Sequence, residues 1–213
     1  MKNGICYVIG AGENYGLDFT PSENDFVIAA DAGLLHLEKS GIQANLVIGD
    51  FDSLNYIPSH KNTTVLNAQK DETDLFAAIR EGIKAGYRTF YIYCGTGGRI
   101  DHTMANIQIL AYLSENGMQG FLFGKDNVIT SITNRKICFH PIASGYISVF
   151  SHTEKAKGVY LCGLKYELDN AVLTNTFPLG VSNEFIGKES SISVEEGRLL
   201  IVFPKNMIKM MKN

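Results

Sequence analysis

In the first part of the chain, short apolar runs closed by Gly or Asp alternate with stretches of helical period. ICYVIG, DFVIAAD and ANLVIGD are β-rich runs of strand length. DAGLLHLEKSG reads as a short helix closed by Gly41. ETDLFAAIREGIKAG is the clearest helix: Leu75, Ile79 and Ile83 share a face, acids fill the first turn and Gly86 closes it. RTFYIYCG is another buried strand. DHTMANIQILAYLSENG is a second long helix, with Asp101 placed to cap it and Gly117 to end it, and GFLFG returns to strand. Strands separated by helices predict parallel βαβ units with helices covering the sheet.

After about residue 128 the pattern changes. YISVFSHT, GVYLCGL, AVLTNTF, SISVEEG and RLLIVFP are short strands divided by Gly, Asn and Pro, with no helical period before the basic tail. The expected architecture is therefore α/β. A mostly parallel N-terminal sheet with flanking helices takes residues 1–128, and an all-β, sandwich- or barrel-like domain takes 129–213. The tail KNMIKMMKN is expected to be a loose end.

Composition narrows the function classes. The chain of 213 residues is 45% hydrophobic and 19% charged, as expected of a folded globular protein. A net charge of −3 leaves no electrostatic footprint for nucleic acid or an anionic membrane. ICYVIGAG is too short for a secretory signal, and no run reaches membrane-spanning length, so the cytoplasm is the expected location. Cys6, Cys94, Cys138 and Cys162 form no C-x-x-C pair and are expected as buried free thiols.

Acids gather where elements begin or end. Asp31 closes one strand, Asp50 and Asp52 close the next, Asp71 and Asp74 open the clearest helix, and Asp101 opens the other. In an open α/β sheet the carboxyl ends of the strands share an edge, and ligands bind there. Asp31 and Asp101 could simply cap helices, and Asp74 could complement a helix dipole. The Asp50-x-Asp52 pair is harder to dismiss. On an extended strand end the two side chains point the same way and repel, unless a cation lies between them. Oxygen donors of this kind suit Mg²⁺, which bridges one or two carboxylates to substrate phosphates.

CGTGGRIDH supplies the matching anion site. Gly95, Gly97 and Gly98 lie between a strand and a helix, Arg99 adds a bidentate donor, and Lys70 is a second cation. The segment is not a Walker A loop. GAGENYG, at Gly10 to Gly16, has G-x-G-x-x-x-G spacing and no helical period after it, so it is not read as a dinucleotide loop. Of the five histidines, His102 alone is expected near the cleft.

With these residues assembled, the chain resembles the bacterial thiamine pyrophosphokinases. The resemblance rests on DAGLLHL, GDFDSL, KDETDLFAAI, GGRIDHTMANIQIL, GLKYELDNAVL, LGVSNEF and SISVEEGRLLIVF, in that order from about residue 31 to residue 203. The family usually has two glycines after the first aspartate, where this chain has Asp31-Ala32-Gly33.

The resemblance implies transfer of diphosphate from ATP to the hydroxyl of thiamine, giving thiamine diphosphate and AMP. It also implies a homodimer, with thiamine bound between the catalytic domain of one subunit and the β domain of the other. Carried over, Asp50, Asp52 and Asp74 would hold Mg²⁺, while Asp31, Thr73, Gly95, Gly97, Gly98, Arg99 and Asp101 would line the ATP site. Lys70 and Arg99 would offset phosphate charge, Asp71 or Asp74 would take the hydroxyl proton, and Ser182 and Asn183 would meet thiamine. With no Trp in the chain, the aromatic that stacks on thiamine is not assigned. The rivals are a D-x-D phosphatase of the haloacid dehalogenase type and a non-catalytic nucleotide or thiamine sensor.

Overall fold

The computed structural model describes residues 2–67, 69 and 71–212, Lys212 by its backbone alone. The chain divides into two compact units: Met1–Ile109 with Gly120–Gly124, and Leu110–Gln119 with Lys125–Asn213.

The first unit follows the alternation in the sequence. Its elements are β1 (Ile5–Ile9), β2 (Phe26–Ala30), α1 (Gly33–Lys39), β3 (Leu46–Gly49), β4 (Thr63–Val65), α2 (Asp74–Lys84), β5 (Thr89–Tyr93), the start of α3 (Ile100–Glu115), and β6 (Gln119–Phe123). The strand order is β6-β5-β1-β2-β3-β4. The β5-β1, β1-β2, β2-β3 and β3-β4 pairs are all parallel. Val8, Ile28, Val47 and Phe90 are fully buried, as strands covered on both faces require. Helix α2 contributes Leu75, Ala78 and Ile79 to that core.

From β1 the chain works outward to β4, then returns to lay β5 on the other side of β1. The strand order thus reverses beside β1, and a crevice opens between the carboxyl ends of β1 and β5.

Two local expectations change in this unit. β4 has no alternating apolar pattern to announce it, because among the described residues it pairs only with β3 and its Thr64 and Val65 are exposed. Helix α3 begins at Ile100, so Asp101 lies inside the first turn rather than capping it.

The second unit contains β7 (Asn127–Thr133), β8 (Lys136–Phe139), β9 (Tyr146–Ser151), β10 (Lys155–Cys162), β11 (Leu168–Thr174), β12 (Gly180–Glu184), β13 (Ser190–Ser193), β14 (Arg198–Pro204) and β15 (Met211–Lys212). They form two antiparallel arrays, β12-β9-β14-β7 and β11-β10-β13-β8-β15. The Phe139 ring makes edge contacts at 5.1 Å with Phe185 and 5.2 Å with Phe203, which places aromatic packing between the arrays.

The tail is not a loose end. Residues Lys205–Met210 form a 3₁₀ turn that buries Met207, and Met211 then pairs with Phe139 of β8. Its two-residue strand has no period of its own to read and exists only through that partner. Among the cysteines, Cys6 and Cys94 are buried free thiols as expected, whereas Cys138 is half-buried and Cys162 is exposed at the end of β10. No helix among the described residues is long and apolar enough to cross a membrane.

His152 gives the second unit a pH dependence. Its Nδ1 is buried without a hydrogen-bond partner among the described residues, and burial holds the imidazole pKa below its ordinary value of 6.5. The unfolded chain therefore takes up this proton first as pH falls. The group's contribution is complete above about pH 6.5 and is lost progressively below it. The urea midpoint should fall on acidification through that range, and His152→Gln should flatten the slope.

Candidate active site

A cleft of about 680 Å³ lies at the carboxyl ends of the parallel strands, lined from β1, β2, β3 and β5 and by the starts of α2 and α3. Asp31, Asp50, Thr73, Asp74, Gly95, Gly97, Gly98, Arg99 and His102 all border it.

Asp31 is the most constrained of these. It follows β2 with φ at 51°, is 7% exposed, and its Oδ1 is buried with no hydrogen-bond partner among the described residues. It does not cap α1: the capping position is Ala32, and no side chain bonds there. An orphaned carboxylate oxygen in a left-handed backbone setting costs stability unless something outside the chain satisfies it.

Asp50 and Asp52 do not form the aligned pair expected of a strand end. β3 stops at Gly49, Phe51 turns with φ at 61°, and the Asp52 N–H donates back to Asp50 Oδ1 at 3.2 Å. Phe51 is 2% exposed and anchors the turn from inside. The turn points Asp50 into the main cleft, while Asp52 borders a shallow depression beside Asn55, Tyr56 and Ile57.

Asp74 opens α2 on the cleft wall, directly after Thr73. Thr73 caps the helix: its hydroxyl oxygen accepts from the Phe76 N–H at 3.2 Å. Removing that oxygen in Thr73→Ala should cost about 1 kcal/mol of unfolding free energy, measurable by urea titration. Asp71 is exposed and does not border the cleft, and Lys70 lies outside the described residues.

The loop after β5 passes through Cys94, Gly97 and Gly98 at φ of 52°, 83° and 56°. Gly97 and Gly98 form a tight turn, a conformation in which neighbouring backbone N–H groups can converge on an anion. Arg99 reaches across to Asp101 at 2.5 Å, and its hydrogen bond holds the Asp101 carboxyl below the usual carboxylate range. Both side chains are largely exposed, so the pair contributes little to stability and Arg99 can exchange partners.

Sequence reasoning missed two parts of this site. The GAGENYG stretch, set aside as a dinucleotide loop, brings Gly10, Ala11, Gly12 and Glu13 to the cleft wall. Its Gly12 N–H donates to Cys94 O at 2.8 Å, and His36 Nε2 lies 3.0 Å from Gly12 O. Asn106 of α3 is buried and donates from Nδ2 to Gly95 O at 2.7 Å, which ties the glycine loop to the helix. Its signal was a polar residue on an otherwise apolar helix face.

Comparison with known proteins identifies the family. The family description "Thiamin pyrophosphokinase, catalytic domain" matches residues 20–122, and "Thiamin pyrophosphokinase, vitamin B1 binding domain" matches 135–199. Together they take in most of the chain. The chain belongs to the thiamine pyrophosphokinase family.

The Bacillus subtilis thiamine pyrophosphokinase is 29% identical over 207 residues, 93% of this chain and 97% of that protein. Its crystal structure superposes with a TM-score of 0.83 at 26% identity, covering 95% of this chain and 99% of that one. The family protein from Enterococcus faecalis gives 0.81 at 26% identity, covering 94% and 98%. The phosphatase reading finds no support in these comparisons.

In the segment matching the vitamin B1 binding domain, Ser182 and Asn183 lie on β12. Ser182 is exposed, with φ at 58°, and its N–H donates to Ser148 Oγ at 3.0 Å. Asn183 is 2% exposed, and both ends of its amide are hydrogen-bonded. Its Oδ1 accepts from the Tyr166 N–H at 3.0 Å, and its Nδ2 donates to Tyr166 O at 2.6 Å. The clip fixes the Tyr166 backbone and leaves the residue 61% exposed.

Proposed function

We propose that this family member is an ATP- and Mg²⁺-dependent thiamine diphosphokinase whose nucleotide site is the cleft of the first unit. The observation that carries the reading is the convergence there of Asp31, Asp50 and Asp74 with the glycine loop and Arg99.

Among the described residues no cluster of three or more His, Cys, Asp or Glu side chains could hold a metal by itself. That suits Mg²⁺, which retains waters and takes one or two carboxylates together with substrate phosphates. Asp50 and Asp74 are the ligands we assign from the cleft wall, with Asp52 next to them on the Asp50 turn; the orphaned Asp31 oxygen adds a further acceptor. Bound there, the ion would neutralise phosphate charge and polarise the transferring group.

The chain's own residues supply the remainder. N–H groups of the glycine loop and the Arg99 guanidinium hold the β- and γ-phosphates, so that charge shifting onto oxygen meets fixed donors. Thiamine's hydroxyl oxygen attacks the β-phosphorus, the bond from that phosphorus to the α-phosphate oxygen breaks, and AMP departs with the electron pair. Asp71 and Asp74 are the candidates to accept the hydroxyl proton, Asp74 alone standing on the cleft wall. On the β-rich unit, Ser182 offers polar contact and Tyr166, held by Asn183, offers an aromatic ring to thiamine. We assign that surface to the partner's cleft in a homodimer.

Incubation with thiamine, ATP and Mg²⁺, with nucleotides resolved by chromatography, tests the reaction. AMP and thiamine diphosphate should form in equal amounts. ADP as the product would overturn diphosphate transfer, and no turnover with intact binding would favour the sensor.

A further inference from the structure

The position where the glycine loop should meet phosphate already holds a carboxylate. The Gly98 N–H donates to Glu13 Oε1 at 3.0 Å, and the Tyr15 hydroxyl donates to Glu13 Oε2 at 2.7 Å. The Glu13 N–H in turn donates to Thr96 O at 3.2 Å, so the loops after β1 and β5 are stitched together at the switch point. Contact is close: a Cβ on Gly97 would lie 2.6 Å from the Tyr15 hydroxyl and 2.7 Å from Glu13 Cδ.

The setting makes that carboxylate costly to a second anion. Glu13 borders a cleft that also holds Asp31, Asp50, Glu72 and Asp74, and Arg99 is the only Lys or Arg among its described lining residues. Phosphate and Glu13 need the same donor and repel each other.

We propose that Glu13 is an internal stand-in for phosphate: it occupies the Gly98 amide in the free protein, is displaced by the nucleotide's polyphosphate, and thereby sets nucleotide affinity. Tyr15 steadies it in the occupied position. This rests on the reading of the cleft as the nucleotide site. Because Glu13 leaves before chemistry, it tunes binding and not the transfer step.

The test is titration of wild type, Glu13→Gln and Tyr15→Phe with ATP and Mg²⁺ by calorimetry, alongside steady-state kinetics. Exchanging a charged hydrogen bond for a neutral one should tighten ATP binding and lower its KM roughly 3- to 10-fold. kcat should stay within about twofold, since the displaced group makes no contact in the transition state. Tyr15→Phe should move KM in the same direction by less. In the ATP-free protein, the Gly98 amide proton resonance should shift upfield in Glu13→Gln.

Unchanged or weaker ATP binding by Glu13→Gln, beside normal wild-type binding, would overturn the stand-in alone and make Glu13 neutral or a nucleotide contact. An unshifted Gly98 resonance would also overturn it. Failure of the wild type to bind ATP would remove the functional reading, and the stand-in's role with it.

Discussion

Asp50→Asn is expected to keep the fold and lose about a hundred- to a thousandfold in turnover, the usual cost of deleting one charged stabilising group at a reacting centre. The substitution isolates charge from structure. Asp50 Oδ1 accepts the Asp52 N–H, and an asparagine carbonyl accepts it equally well, so the turn around Phe51 survives. Asp50 is not part of the core, and its unfolding free energy should change by no more than about 0.5 kcal/mol. What is lost is a negative oxygen on the cleft wall. AMP formation and urea unfolding, measured on the same preparation, separate the two effects. Asp52→Asn should lose less, because Asp52 borders the neighbouring depression instead. Turnover by Asp50→Asn at the wild-type rate would sink the assignment of a cation to that wall.

The second large effect concerns stability. Gly33→Ala looks favourable from helix propensity, which prefers Ala to Gly by about 1 kcal/mol. The fold reverses the sign. A Cβ at position 33 would lie 2.0 Å from Ile9 O and 2.9 Å from Gly10 O, both backbone atoms at the end of β1 that cannot swing aside. Either α1 moves off the sheet or β1 shifts, and overpacking of this kind costs about 3 kcal/mol net. A fall in urea midpoint with an unchanged m-value should report it. Ala32 shows why the chain tolerates its departure from the family's paired glycines. It sits at φ −64° and ψ −2°, open to any residue, so only the second glycine is sterically required. The displacement would also disturb Asp31, two residues upstream, so activity should fall with stability. An alanine variant as stable as the parent would show that β1 and α1 are less tightly apposed than described.

Legibility followed burial. Strands β1, β2, β3, β5 and β6 and helices α2 and α3 were readable because covered strands must be continuously apolar and helices must present a periodic face. β4 was not, having a single strand partner among the described residues and exposed side chains. β12 escaped for a related reason: it is a strand through its pairing with β9, across a register shift, and nothing local marks it. β7 and β8 escaped although Val128, Ile132, Ile137 and Phe139 are buried, because each run is short and mixes polar residues among the apolar ones. The site divided the same way. Asp31, Asp50, Asp74 and the glycine loop stood out as acids and glycines at element ends. Asn106 and the loop after β1 did not, since their part in the cleft depends on residues far away in the chain.

The sequence by itself determined the alternation of strands and helices, the change to β-rich patterning, and the chemistry on offer: hard oxygen donors and a glycine loop for phosphate. Those follow from local periodicity and residue type. Tertiary structure alone decided which acids face the cleft. The left-handed turn at Phe51 separates Asp50 from Asp52, and the return of the chain to β5 brings Glu13 against Gly98. Such choices are made by long-range strand pairing and by backbone dihedrals that no side-chain pattern encodes, because a carboxylate reads the same in sequence whichever way its backbone turns.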